Sequence, residues 1–341
     1  MRARIWLATL ILIAPGCGGR SPSAPTSPAP TSTFSSLQGA TVSAIDGQPL
    51  AGVMIKIGSQ TTVSDATGTF HFNDVAAGQP EILTAPSIVE RHTTAATPST
   101  EPVREALIPA DFDLDAFDQM FRGSGGIERW TSAPPLVVLT TVMNYETSFG
   151  DGQNYHATSE QLTDAETDLL VSQLTDGLAL LTGNTFTAFA SVERESASSG
   201  STVNTLRPAK IVVGRYKGVQ GLLNTIGFGR WAADANGQVT GGSIYVDRDF
   251  DKTSDKRRLL RTHELGHALG YTHVITRTSI MNPAIGPEPT SFDRQGAAIA
   301  FQRVPGNMSP DTDPSGPAAL RTGGGVFGIA PTISIWSRPV F

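Results

Sequence analysis

Six histidines occur in this chain of 341 residues, and three of them, His263, His267 and His273, fall within eleven positions of one another. Histidines four apart on a helix leave the same face about one turn apart, so His263 and His267 can aim two imidazole nitrogens at one metal ion. Glu264, one residue on, is rotated off that axis. It is poorly placed to ligate but well placed to reach a water at the metal and act as its general base. Gly270 lets the chain leave the helix and turn back without a side-chain clash, and that return brings His273 round as a third ligand. Three neutral imidazoles leave a fourth coordination position for water, which is the arrangement of a catalytic rather than a structural zinc site. The competing explanations are core histidines on a buried helix, or a site that binds metal without catalysis. No ligand or base of the pattern is replaced.

The elements around this segment must hold it in place. A helix beginning near Ser254 or Asp255 carries the histidines. The nearly continuous apolar run from residue 136 to residue 142 predicts an interior strand. Thr163-Asp164-Ala165-Glu166 is a capping box, after which Leu170, Leu174, Leu178 and Leu181 line one helix face and Gly183 closes the helix. Residues 186–192, 210–215, 227–233 and 243–246 read as further strands, which gives a five-stranded sheet and mixed α/β texture over residues 111–305.

The segment from His263 to His273 resembles the signature of the metzincin zinc peptidases. Ser279-Ile280-Met281-Asn282-Pro283 follows at the short spacing seen in the matrixin group, so Met281 corresponds to the methionine of that family's turn beneath the metal. Residues 241–247 resemble the matrixin strand before the active-site helix, and residues 291–303 match its last helix; the likeness spans residues 130–303. It implies an α+β zincin domain with a twisted sheet, active-site helix and Met-turn. It also implies one catalytic Zn2+, hydrolysis of peptide bonds with Glu264 as base, and a substrate extended along an edge strand at residues 227–233. The sequence departs from the family at Asn282, where matrixins commonly have tyrosine. No histidine lies between Arg215 and Gly227, so the second, structural zinc loop is missing, and no upstream cysteine in the folded part is available for a cysteine latch. Asp247, Asp249 and Asp251 alternate where matrixins often bind calcium, so Ca2+ is a second candidate ion; such acids also simply solvate a turn.

Residues 37–109 carry short alternating strands with turn signals such as Asp46-Gly47. Gly47-Gln48-Pro49-Leu50-Ala51-Gly52-Val53 and Ser64-Asp65-Ala66-Thr67-Gly68-Thr69-Phe70 resemble the carboxypeptidase-regulatory-like module, which implies a small all-β sandwich. His71 and His92 within it lack ligand-spaced neighbours and read as surface residues.

Arg2 and Arg4 followed by an apolar run from residue 5 to residue 14, too short to span a bilayer, predict an export signal over residues 1–16. Cys17 is the only cysteine. After the small Gly16 it resembles the lipid-carrying first residue of a bacterial lipoprotein, the alternative being a cysteine beside an ordinary cleavage site. The Ser/Pro/Thr-rich residues 17–36 form a tether, and residues 306–341 a Gly/Pro-rich tail. The expected protein is therefore exported and held at the cell envelope through Cys17. The net charge of −6 and the lack of a Lys/Arg cluster give no sign of a nucleic-acid partner. Two functions follow: an endopeptidase acting on protein or peptide substrates, or a cell-surface binding protein whose β-sandwich is functional and whose metal domain is a scaffold.

Overall fold

The computed structural model of the chain describes residues 35–76, 78–96, 102–146 and 152–314, and the backbone alone for 333–337. The expected export signal, Cys17 and all but the last two residues of the tether lie outside these. No helix among the described residues is long and apolar enough to cross a membrane.

The first part contains β1 (Ser35–Ser43), β2 (Met54–Ile57), β3 (Gln60–Val63), β4 (Thr69–Val75), β5 (Pro80–Thr84), β6 (Arg91–Thr94) and β7 (Val103–Leu107). They form a three-stranded sheet, β4-β1-β7, and a four-stranded sheet, β3-β2-β5-β6. Alternation puts Ile55 and Ile57 of β2, Phe70 and Phe72 of β4, Leu83 of β5 and Leu107 of β7 into one shared apolar cluster. His71 is exposed, and His92 pairs with Glu90 at 2.5 Å.

Among the described residues, six helices and the nine remaining strands build the second part. In chain order these are α1 (Leu114–Phe121), β8 (Leu136–Leu139), β9 (Thr141–Asn144), β10 (Asn154–Gln161), α2 (Asp164–Leu181), β11 (Val192–Glu195), β12 (Thr202–Asn204) and β13 (Ile211–Lys217). They continue with α3 (Val219–Leu223), β14 (Gly227–Ala233), β15 (Val239–Asp247), α4 (Arg248–Thr253), α5 (Arg257–Ala268), α6 (Ser291–Phe301) and β16 (Ile333–Ser337). The chain is thus α+β. Its large sheet has nine strands rather than five, running β12-β10-β9-β13-β15-β14-β16 with β8 and β11 joined beside β13. The run expected as one interior strand breaks at Thr140 into β8 and β9, which both pair with β13. Residues 186–190 are irregular instead of extended. Phe189 is buried and Phe186 meets Phe301 edge-on at 5.4 Å, so these rings anchor a loop, and the strand begins only at Val192.

Side chains alternate across the sheet. Leu136, Val138, Ile211, Val213, Ile244 and Val246 face the helices, while Val137, Leu139, Val212, Tyr216 and Tyr245 face a second, aromatic-rich core. Helix α2 starts at the expected capping box of Thr163 and Glu166. It lays Leu170, Leu174 and Leu178 into the core beside α5, with Gly177 giving close approach to Leu265.

Residues 307–313 do not behave as a tail. Asp311 is fully buried, bonded to Arg303 at 2.6 and 2.7 Å and to Arg91 of β6 at 3.1 Å, and Asp313 holds Arg91 at 2.7 Å. Beside this network Glu81 of β5 is 1% exposed, and its carboxylate oxygens have no hydrogen-bond partner among the described residues. Burial, reinforced by Glu105, pushes its pKa up to about 8. The folded chain therefore keeps a proton that the unfolded chain releases above the ordinary glutamate pKa near 4.5, so stability falls as pH rises through that window. Urea unfolding from pH 4.5 to 8 should show the native chain losing about 3 kcal/mol relative to Glu81→Gln. Parallel pH profiles for the two proteins would contradict a neutral buried Glu81.

Candidate metal centre

Helix α5 is an unusual interior element, since every residue from Leu259 to Ala268 is buried although the segment contains Arg261, Thr262, His263, Glu264 and His267. Burial of so many polar groups is tolerated only where they have partners. Arg261 donates to Asp251 at 2.7 and 2.8 Å and to Gln173 at 2.9 Å, and Thr262 donates to Arg258 O at 3.0 Å. Asp251 also accepts from Arg215 at 2.6 Å, tying α5 to β13 through α4.

The histidines are fixed from behind. His263 Nδ1 lies 2.7 Å from Ile280 O, and His267 Nδ1 lies 2.7 Å from Tyr271 O. A carbonyl can only accept, so both Nδ1 atoms carry the proton. Burial holds the pKa of His263 down to about 3 and that of His267 well below its ordinary value, with neighbouring imidazoles acting in the same direction. Half-buried His273 is lowered to about 4, also by burial. At neutral pH the rings are uncharged, and the Nε2 atoms of His263 and His267 present lone pairs.

The three Nε2 atoms form a nearly equilateral triangle with edges of 3.1, 3.2 and 3.3 Å. Nitrogens bound at 2.0–2.1 Å to a common tetrahedral zinc lie about 3.3–3.4 Å apart. His273 could donate one proton into the triangle, but it cannot satisfy both opposing lone pairs. A cation suits all three, so the donor set fits zinc. Among the described residues, this is the one group of histidine, cysteine or acidic side chains gathered closely enough to hold a metal.

His273 reaches the triangle because the chain reverses at Gly270, whose φ is +108° and whose added Cβ would stand 2.3 Å from Glu128 O. Thr272 N then bonds Met120 O at 2.9 Å, and Val274 N bonds Met281 O at 2.9 Å, so both neighbours of His273 are anchored. Met281 is fully buried under α5. Its sulfur lies 2.5 Å from where a Cβ on Gly266 would be, so the methionine fits only because that helix position is glycine. Asn282, the departure from the matrixin pattern, braces this loop by donating to Val274 O at 2.7 Å and Arg277 O at 2.8 Å. Buried Asp293, in the capping box of α6, accepts from Ser279 Oγ and from Ile280 N, which steadies the carbonyl that orients His263.

The aspartates proposed for calcium do not converge. Asp247 caps α4, accepting from Asp249 N at 3.0 Å and Phe250 N at 3.1 Å, and it also accepts from Gln220 N at 3.1 Å. Asp249 points outward to Arg248, and Asp251 is buried between Arg215 and Arg261. Their alternation is that of a helix start with one buried carboxylate held by two arginines.

Sequence reasoning missed two glycines. β14 crosses α5 so closely that a Cβ on Gly229 would stand 2.4 Å from Glu264 O and 2.6 Å from His267 Cβ, and one on Gly227 would stand 3.1 Å from Glu264 Oε1. The Gly-Phe-Gly spacing was the available signal, since alternate positions of a strand face the same way.

No family model matches the chain, and no curated protein matches it either.

Gly229→Ala should therefore lower unfolding stability by about 1–3 kcal/mol, because the crowding atoms belong to backbone and Cβ and cannot swing aside. Gly221→Ala, where nothing lies within 4 Å, should be neutral or slightly stabilising. Equal effects in chemical denaturation would mean that β14 and α5 are not in this close contact.

Proposed function

We propose that this chain is a zinc-dependent endopeptidase of the metzincin type, closest to the matrixin group. On this reading residues 37–109 form a β-sandwich module and residues 111–305 the zincin domain. The observation that carries the proposal is the triangle of Nε2 atoms with Glu264 in the next helical position. His263, His267 and His273 would hold the zinc, which supplies Lewis acidity to a water molecule and to a carbonyl oxygen.

The chain's own residues account for the remaining chemistry. Glu264 is fully buried on the side of the helix that β14 crosses. It takes a proton from the attacking water and returns it to the leaving nitrogen, so the peptide bond breaks with one water consumed and no net proton change. On the side away from β15, the main chain of β14 pairs with an extended segment of the chain itself, so the same edge suits an extended polypeptide and makes protein or peptide segments the substrate class. Met281 supports the histidines by packing. Export through residues 1–16 and lipid attachment at Cys17 would set these substrates outside the cytoplasm.

Two substitutions separate metal binding from catalysis. Glu264→Gln should retain zinc and fold while turnover of a peptide library falls by roughly 10²–10⁴-fold. His267→Ala should lose both zinc, by elemental analysis, and activity. Near-normal cleavage by zinc-loaded Glu264→Gln would remove the base from the mechanism.

A further inference from the structure

Strand β14 has β15 on one side, and its other side is occupied by β16, a strand about a hundred residues further along the chain. The pairing is antiparallel and regular, with Gly227 opposite Ser337, Phe228 opposite Trp336, Gly229 opposite Ile335, Arg230 opposite Ser334 and Trp231 opposite Ile333. The register matters because Gly227 and Gly229 are the points at which β14 touches Glu264 and His267. The backbone of β16 therefore runs beside the part of β14 nearest the metal centre. It occupies the N–H and C=O groups that an uncovered edge would present to any extended chain.

Residues 315–332, which link β16 to the preceding described segment, include five glycines among eighteen residues. An occupant tethered to its own site meets it at a raised effective concentration, so even weak pairing competes well with a free peptide. We propose that β16 is a tethered occupant of the substrate edge, and that it holds the centre latent until an extended polypeptide displaces it. This rests on the peptidase reading above. It also identifies a source of restraint in a chain whose described residues include no cysteine.

In an antiparallel pair alternate residues direct their N–H groups at the partner, so of two adjacent prolines only one removes a bond to β14. Ser334→Pro and Ile335→Pro would be made singly in the full zinc-loaded chain carrying Glu264→Gln, so that the probe survives. The probe is a labelled synthetic peptide with the sequence of residues 331–338, followed by fluorescence anisotropy. One of the two variants should bind it at least about tenfold more tightly than the chain with intact β16. With Glu264 restored, the same variant should cleave a peptide library with kcat/KM raised by a similar factor. Equal probe affinity in all three chains would overturn the proposal, as would equal cleavage rates. Tighter probe binding without cleavage by any chain would uphold occupancy of the edge, overturn its role in latency and count against the peptidase reading itself.

Discussion

Two uncharged imidazoles facing each other across 3.1 Å, each with its proton committed to a backbone carbonyl behind it, define the constraint around which this molecule is arranged. Left to themselves, those lone pairs repel. Keeping them together requires a rigid helix, two fixed carbonyl groups and a third imidazole brought back from beyond the helix end. Gly270 provides the reversal, Tyr271 and Ile280 provide the carbonyls, and Met281 fills the space that Gly266 leaves open. Tyr271 is itself held, its hydroxyl donating to Leu181 O and its ring standing edge-on to Phe121 at 4.5 Å. The positioning of one nitrogen thus draws on α1, α2 and α5 at once.

The energetic difficulty lies in burying so polar a helix. Apolar packing alone cannot stabilise a segment containing an arginine, a glutamate and two histidines, because each unpaired group would cost several kcal/mol. The Arg215–Asp251–Arg261 network answers this on one flank and the histidine-to-carbonyl bonds on the other. Replacing a partner in such a network is harsher than never having built it, since an uncompensated charge stays behind. Polar groups here add little net stability, but they fix where the helix can lie.

The local half of this arrangement was legible in the sequence. His263, Glu264, His267, Gly270 and His273 reveal themselves because helical spacing and a glycine turn act within eleven residues, and the capping box at Thr163 is equally local. Contacts set by tertiary structure were not. The pairing of β16 with β14 joins residues about a hundred positions apart and leaves no trace in either strand's own pattern, so the sheet was read with too few strands. Asp247 and Asp251 looked like cation ligands until Gln220, Arg215 and Arg261 were seen to use their oxygens. Phe186 and Phe189 mimicked a strand while anchoring a loop. The importance of Gly227 and Gly229 lay in what crosses them, which is a property of the fold.

The central claim is that three imidazoles and no other side chains gather one zinc ion. Zinc-edge X-ray absorption on the full chain, purified with its metal, tests it most directly. Three nitrogen neighbours at about 2.0–2.1 Å with imidazole multiple-scattering features are predicted, with a lighter oxygen contribution at the open position. A sulfur shell near 2.3 Å, or an oxygen-only environment, would contradict the account.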